Sequence, residues 1–174
     1  MSLALFLCKL SLKSEIFRVV YYIITLIIMQ IILPENVYKN IFIYIILYML
    51  ALVISVNIFL ESVRMEIYEK MDEILTLAKI DKMKNYKLIM LFCVCLGMLI
   101  CIIYSVLLWI LYMIKIVKSV HWNYYITYIF ILLFSGICSY VFACKYFNSL
   151  KGLKQIKKSV YLITAIVLII VLAF

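Results

Sequence analysis

The chain has 174 residues, of which 70% are apolar and only 14% are charged. A soluble domain usually holds about half apolar and about a quarter charged residues, so this composition excludes a soluble globule. The formal net charge of +9 comes from basic residues that lie between apolar runs, which argues against a nucleic-acid-binding protein. The sequence predicts an all-α integral membrane protein with one transmembrane domain over 1–174.

The apolar runs divide the chain into five predicted spans. Before the first span, the basic segment 2–14 is either an N-terminal interfacial helix or a frayed leader. Pro34 ends the first span, and the short polar connection after it predicts an antiparallel hairpin of the first two spans. The predicted spans are about 16–33, 41–60, 88–114, 125–144 and 160–174.

The longest hydrophilic segment separates the second span from the third. Residues 61–87 hold six acidic and six basic side chains. Apolar residues recur there at helical spacing, which predicts an amphipathic helix over 61–80. Such a helix can dock into a groove on a partner, or it can lie flat on the membrane surface. The apolar stripe of this helix consists of Val63, Ile67, Met71, Ile74 and Ala78.

Lysine and arginine are distributed unevenly among the segments that connect the spans. With a cytoplasmic amino terminus, the segments on the cytoplasmic side hold fourteen of these residues, and the segments on the other side hold three. Basic loops are retained in the cytoplasm. The sequence therefore predicts that the amino terminus and the amphipathic helix are both cytoplasmic.

The sequence contains no pattern typical of a catalytic site. A nucleotide-binding loop needs several glycines before a lysine, whereas Gly97, Gly136 and Gly152 are far apart. No ionisable residue lies in the middle of a predicted span, so a proton relay or a membrane-embedded enzyme has no candidate residues. We therefore expect a non-catalytic subunit without a cofactor, whose ATPase activity, if the complex needs any, resides in a partner.

Several polar or sulfur-containing residues have both a functional and a structural interpretation. A cysteine cluster (Cys93, Cys95 and Cys101) could bind a soft metal, but a helix places positions i and i+2 on different faces, so packing is the preferred interpretation. His121 with Trp122 could contact a ligand, although an interfacial aromatic pair is favoured. Gln30 and Asn57 are expected to pack against other helices.

The order and spacing of these segments resemble the cytochrome c maturation protein B (CcmB) family, the membrane subunits of an ABC-type haem exporter. The resemblance rests on the basic start LFLCKLSLKSEI, a first span closing at LPEN, the acidic segment ESVRMEIYEKMDEIL and the basic connection SLKGLKQIKKS. The sequence departs from that family at IDKMKNYK, where glycines and prolines are usual, and it lacks the last span. Locally, SVRMEIYEKMDEI also resembles the cytoplasmic helix of FtsX, another ABC-type membrane subunit.

Both resemblances imply that the segment 61–80 couples the spans to a separate cytoplasmic ABC ATPase. The CcmB resemblance further implies haem handling for c-type cytochrome biogenesis, with other membrane subunits as partners, in a bacterial or mitochondrial inner membrane. A small structural subunit of a respiratory complex is the alternative from another class of protein. The residues expected to carry ATPase coupling are Glu61, Val63, Ile67, Met71, Asp72, Glu73 and Ile74.

Overall fold

A computed structural model of the chain describes residues 3–68, 77, 81–146 and 150–173. These residues form α-helices joined by short connections, and the described part contains no β-strand. A π-helical turn, Val53–Asn57, joins the second α-helix to the third without a break. The α-helices are α1 (Leu3–Ile32), α2 (Val37–Leu52), α3 (Ile58–Tyr68), α4 (Lys82–Met113), α5 (Asn123–Tyr146) and α6 (Leu150–Ala173).

The prediction of an all-α membrane protein with about five spans is confirmed. Within the described residues, five helical stretches are long and apolar enough to cross a membrane. The chain is therefore a multi-pass membrane protein. The stretches are Leu3–Ile32, Val37–Met65, Lys82–Met113, Asn123–Lys145 and Gly152–Ala173.

The structure changes the boundaries at the start of the chain. The basic leader 2–14 was expected to be separate from the first span, but α1 runs unbroken from Leu3 to Ile32. The leader stays helical because Ala4, Leu7 and Ser11 are buried against the other helices. Its 30 residues span about 45 Å, which exceeds the hydrocarbon thickness of about 30 Å, so α1 projects beyond one face of the bilayer.

The second span and the amphipathic segment were also expected to be separate helices. In the structure, one helix continues from Val37 through the π turn to Tyr68, while 69–76 and 78–80 lie outside the described residues. Helices α4 and α6 likewise begin several residues before the spans predicted from apolar runs. Their first turns are rich in lysine, and a helix can continue into water beyond the hydrocarbon layer.

The helix formed by α2, the π turn and α3 is the central element of the bundle. In the most apolar 18-residue stretch of this helix, 67% of the residues are buried. The buried share of the corresponding stretch in the other four spans is 22–39%. Every residue from 50 to 60 is buried. Helices α1, α4, α5 and α6 all pack against this central helix. A movement of the central helix therefore has to be accommodated by every other span.

Small and hydroxylated residues allow close approach between the helices. On α4, a Cβ atom added to Gly97 would lie 2.5 Å from Leu132 Cδ2 on α5, so only glycine fits there without a shift. Ser55 in the π turn hydrogen-bonds Ser135 on α5. Small residues and interhelical hydroxyl bonds replace the hydrophobic driving force that helices lack inside a bilayer. The predicted packing role of Asn57 is confirmed, because its Oδ1 accepts a 2.6 Å hydrogen bond from Tyr161 on α6.

The bundle has two distinct ends. The basic end is where α1, α4 and α6 begin and where α3 and α5 end, and it carries most of the lysines. The loop end carries the connections 33–36 and 114–122. At the loop end, Asn36 caps α2 by accepting a 2.9 Å hydrogen bond from the Lys39 amide, and Lys39 Nζ donates to the Gln30 carbonyl at 3.3 Å. These bonds satisfy helix termini that would otherwise be unpaired.

Glu35 joins the two connections of the loop end. Ser119 donates a hydrogen bond to its carboxylate, and Lys39, His121 and Lys118 place positive charge nearby. The Ser119 hydrogen bond, followed by these charges, lowers the pKa of Glu35 below its usual value. Since the carboxylate form is favoured in the folded protein, its contribution to stability exists above the unfolded-state pKa and is lost as pH falls through the folded-state pKa.

We therefore expect Glu35→Gln to lower the melting temperature slightly at pH 7, and this deficit to shrink as the pH falls below the usual pKa of a glutamate. The effect is small because Glu35 is exposed and solvent screens its charge. Thermal unfolding of both proteins in the same detergent, across this pH range, measures the difference. A deficit of the variant that grows as the solution becomes more acidic would contradict the assignment.

Candidate functional site

The residues predicted to couple the chain to an ATPase begin at the basic end, on α3. Glu61 and Val63 lie in the middle of this helix, and Ile67 lies in its last turn, where the helix backbone is described. Met71, Asp72, Glu73 and Ile74 lie outside the described residues. The described part of the predicted coupling site therefore consists of Glu61, Val63 and the backbone of Ile67.

The structure places Val63 in the protein interior. Its side chain is fully buried. The neighbouring Ser62 hydrogen-bonds Ser11 of α1 at 3.0 Å and donates to the Ile58 carbonyl at 2.7 Å. This face of α3 is therefore occupied by the bundle itself. Val63 has no surface to offer a partner, and its assignment to an exposed docking stripe is wrong because the stripe begins inside the fold.

Glu61 lies on the more open side of the same helix. Its side chain is 34% exposed and pairs with Arg64 one turn later, with 2.9 Å between Arg64 Nη1 and Glu61 Oε1. A partly exposed pair of this kind contributes little to stability. The pair instead fixes the positions of two charged groups at the rim of a cleft.

The cleft consists of two adjacent cavities formed by the central helix, α1 and α6. The basic chamber has a volume of about 440 Å³ and is lined by Asn57, Glu61, Arg64, Leu153, Lys154 and Lys157, among others. The apolar groove has a volume of about 300 Å³ and is lined mainly by Tyr22, Tyr48, Met49, Leu52, Val53 and Tyr161. Asn57 and Lys157 line both cavities, so the chamber and the groove are adjacent.

The π turn forms the wall of this cleft. Val53 is its first residue and lines the groove, while Asn57 is its last residue and lines both cavities. A π turn holds one more residue than the corresponding α turn, and such turns occur frequently at functional sites. Tyr161 on α6 donates a hydrogen bond to Asn57, which lines both cavities. Lys157 Nζ lies 5.7 Å from the centre of the Tyr161 ring, a cation–π distance that holds the ammonium over the cleft.

The charges that line the cleft do not balance. Arg18 lines the groove and pairs with the buried Glu15 at 3.0 Å, and Arg64 pairs with Glu61. Among the described residues, no carboxylate lies within 4.0 Å of the Lys154 or Lys157 ammonium group. These two lysines give the basic chamber an excess of positive charge that suits an anion.

Comparison with protein-family models, with curated proteins and with solved structures gives no match to this chain.

The cleft was not predicted from the sequence, although its residues were visible there. Arg18, Lys154 and Lys157 are basic residues at the ends of spans, and that pattern was attributed to membrane topology alone. The proximity of Arg18 to Lys157 depends on how α1 and α6 pack around the central helix. The π turn left no pattern in the sequence from which we could predict it.

The other candidate residues occupy separate places. On α4, Cys93 and Cys101 are buried and Cys95 is exposed, as expected for positions on different faces. The described residues contain no group of three His, Cys, Asp or Glu side chains that could hold a metal ion. At the loop end, His121 is exposed, with its Nε2 3.3 Å from the Ser119 hydroxyl and its ring against Tyr124.

Proposed function

We propose that this chain is a non-catalytic membrane subunit of an ABC-type transporter complex. In this proposal the segment 61–80 receives movement from a separate cytoplasmic ATPase and passes it to the spans. One observation carries the proposal: the segment begins as an unbroken continuation of the central helix, from Val37 to Tyr68. A force applied beyond Tyr68 would act directly on the most buried helix of the bundle.

Two further observations support a partner at the basic end. Leu77, the one described residue between 69 and 80, has 84% of its side chain exposed. A large exposed apolar side chain in a charged segment suits burial against another protein. The alternating apolar and charged residues of this segment also match the helix-in-groove mode of recognition, in which an apolar face enters a hydrophobic groove.

The more specific parts of the proposal rest on the resemblance to CcmB. They are haem handling in c-type cytochrome biogenesis, other membrane subunits in the same complex, and a bacterial or mitochondrial inner membrane. The local resemblance to FtsX leads to the same coupling role with a different cargo. The experiment that tests the shared role is affinity purification of the tagged chain from its native membrane in mild detergent. A stoichiometric ATPase with a Walker motif supports the proposal, and its absence at every detergent condition that preserves the monodisperse chain contradicts it.

The same proposal requires the basic end to be cytoplasmic. We expect cysteines introduced at Asn36 and His121 to react with a membrane-impermeant thiol reagent added outside intact cells. Cysteines introduced at Glu69 and Lys154 should react only after the membrane is permeabilised, because fourteen of the seventeen basic residues belong to that side. A background without the native cysteines is needed. External labelling of Glu69→Cys in intact cells would overturn the orientation.

A further inference from the structure

We infer that the cleft at the basic end binds one anionic phospholipid, with its phosphate in the basic chamber and an acyl chain in the apolar groove. The inference does not rest on the proposed transport role. It concerns the residues around Asn57 and Lys157, where the two cavities meet.

The depth of the cleft matches a lipid headgroup. Arg18 lies 14 residues from the end of α1 at Ile32, and Lys157 lies 16 residues from the end of α6 at Ala173. At 1.5 Å per residue these positions are about 21 and about 24 Å from the loop end. Asn57 lies 20 residues from the start of α2, or about 30 Å. With the loop end at one surface of a hydrocarbon layer about 30 Å thick, the cleft lies near the opposite surface, where phosphates are found.

The chemistry of the basic chamber matches a phosphodiester. Lys154 and Lys157 are exposed and have no carboxylate partner among the described side chains, so their charges are available to an anion. Arg64, which pairs with Glu61, adds a third positive charge to the lining of this chamber. A zwitterionic lipid brings its own cation into this chamber and would lose much of the attraction. The cleft therefore favours a lipid with net negative charge.

The apolar groove offers an apolar surface that an acyl chain could contact and a free phosphate could not. It lies beside the chamber and is lined by Leu52, Val53, Met49, Tyr22 and Tyr48. Met49 is 39% exposed, so this groove is open to the surroundings of the bundle and an acyl chain can enter from the bilayer. An acidic peptide would fill the chamber but leave this groove empty within the membrane, which is why we favour a lipid.

The test measures lipid retained by the full chain in detergent micelles. The purified protein is incubated separately with phosphatidylglycerol and phosphatidylcholine, and bound lipid is counted by native mass spectrometry. We expect at least tenfold preference for phosphatidylglycerol and its loss in Lys154→Gln/Lys157→Gln. The matched control, Lys115→Gln/Lys118→Gln, removes the same charge from the loop end and should retain the preference. Thermal unfolding verifies that all variants fold, as expected for substitutions of exposed lysines.

Two further arms identify the part of the lipid that is bound. Met49→Trp should fill the groove and weaken phosphatidylglycerol binding at least fivefold while the lysines remain. Inorganic phosphate in large excess should displace the lipid poorly. Complete displacement by phosphate, with no effect of Met49→Trp, would show a simple anion site and overturn the inference. Equal retention of the two lipids, or unchanged retention by the Lys154→Gln/Lys157→Gln variant, would also overturn it.

Discussion

Replacing Met71 and Ile74 together with aspartate is expected to abolish capture of the ATPase while the chain still inserts and folds. Both residues belong to the predicted apolar stripe beyond the described part of α3. Burial of apolar surface supplies association free energy at about 25 cal/mol per Å², and two charges placed in that surface would have to be desolvated without partners. Pull-down from native membranes, with the ATPase quantified against the tagged chain, gives the measurement.

A single pair of variants provides a matched control for this prediction. Ile74→Asp and Thr76→Asp add the same charge two residues apart, on positions that a helix would separate by about 200°. Capture should fall at least tenfold for Ile74→Asp and remain unchanged for Thr76→Asp. Normal insertion of the Met71→Asp/Ile74→Asp variant, together with capture of the ATPase at wild-type yield, would show that the segment only connects two spans. The proposed coupling role would then lose its main support. We choose these residues instead of Val63 because that side chain lies in the core.

The second large effect concerns the contact between α4 and α5. We expect Gly97→Leu to destabilise the folded protein by roughly 1–3 kcal/mol, the usual cost of overpacking a filled interior. A Cβ at this position already lies 2.5 Å from Leu132 Cδ2, and Leu132 is fully buried, so its side chain has little room to move. The Tyr128 hydroxyl, which donates to the Gly97 carbonyl at 3.3 Å, would also be displaced. Reversible unfolding in mixed micelles measures the change.

Two companion variants decide whether this loss comes from the named contact. Cys95→Leu places the same leucine side chain two residues away on an exposed face of α4 and should leave stability within about 0.5 kcal/mol of wild type. Leu132→Ala in the Gly97→Leu background should recover part of the loss, because the two changes share one space and are not additive. Equal destabilisation by Cys95→Leu, or no recovery in the double variant, would show that the loss does not come from the contact with Leu132.

The fold class could be predicted because apolar runs and bilayer thickness determine span number almost independently of detailed packing. The residues at which the helices begin and end could not be predicted in this way. Residues 2–14 and 61–65 are more polar than the spans they adjoin, so hydropathy separated them, whereas burial of Leu7, Ser11 and Val63 keeps them continuous with those spans. Helical periodicity grouped Val63 with a predicted apolar stripe. It could not indicate that Val63 is buried within the bundle.

The candidate site shows a similar division. Charge counting indicated the basic end, whereas the partner segment, which helical spacing suggested, stays a prediction. The cleft depends on contacts between residues more than 100 positions apart, such as Asn57 with Tyr161, and no local pattern encodes that proximity. Lysines that orient a protein in a membrane and lysines that bind a ligand also look alike in a single sequence.

The π turn lets the central helix hold an extra residue without changing the direction of the helix that follows. The Ile58 amide donates to the Val53 carbonyl five residues earlier, so this stretch contains one residue more than an α-helix would need. Because the wider turn takes up this residue, deletion of one residue between 53 and 57 would leave an uninterrupted α-helix and keep Ser62 beside Ser11. The same deletion would narrow the turn that forms the wall of the cleft. A deletion from the regular part of α2 has no such outlet and would rotate everything after it by about 100°. Deletions in the turn should therefore be better tolerated than deletions in α2.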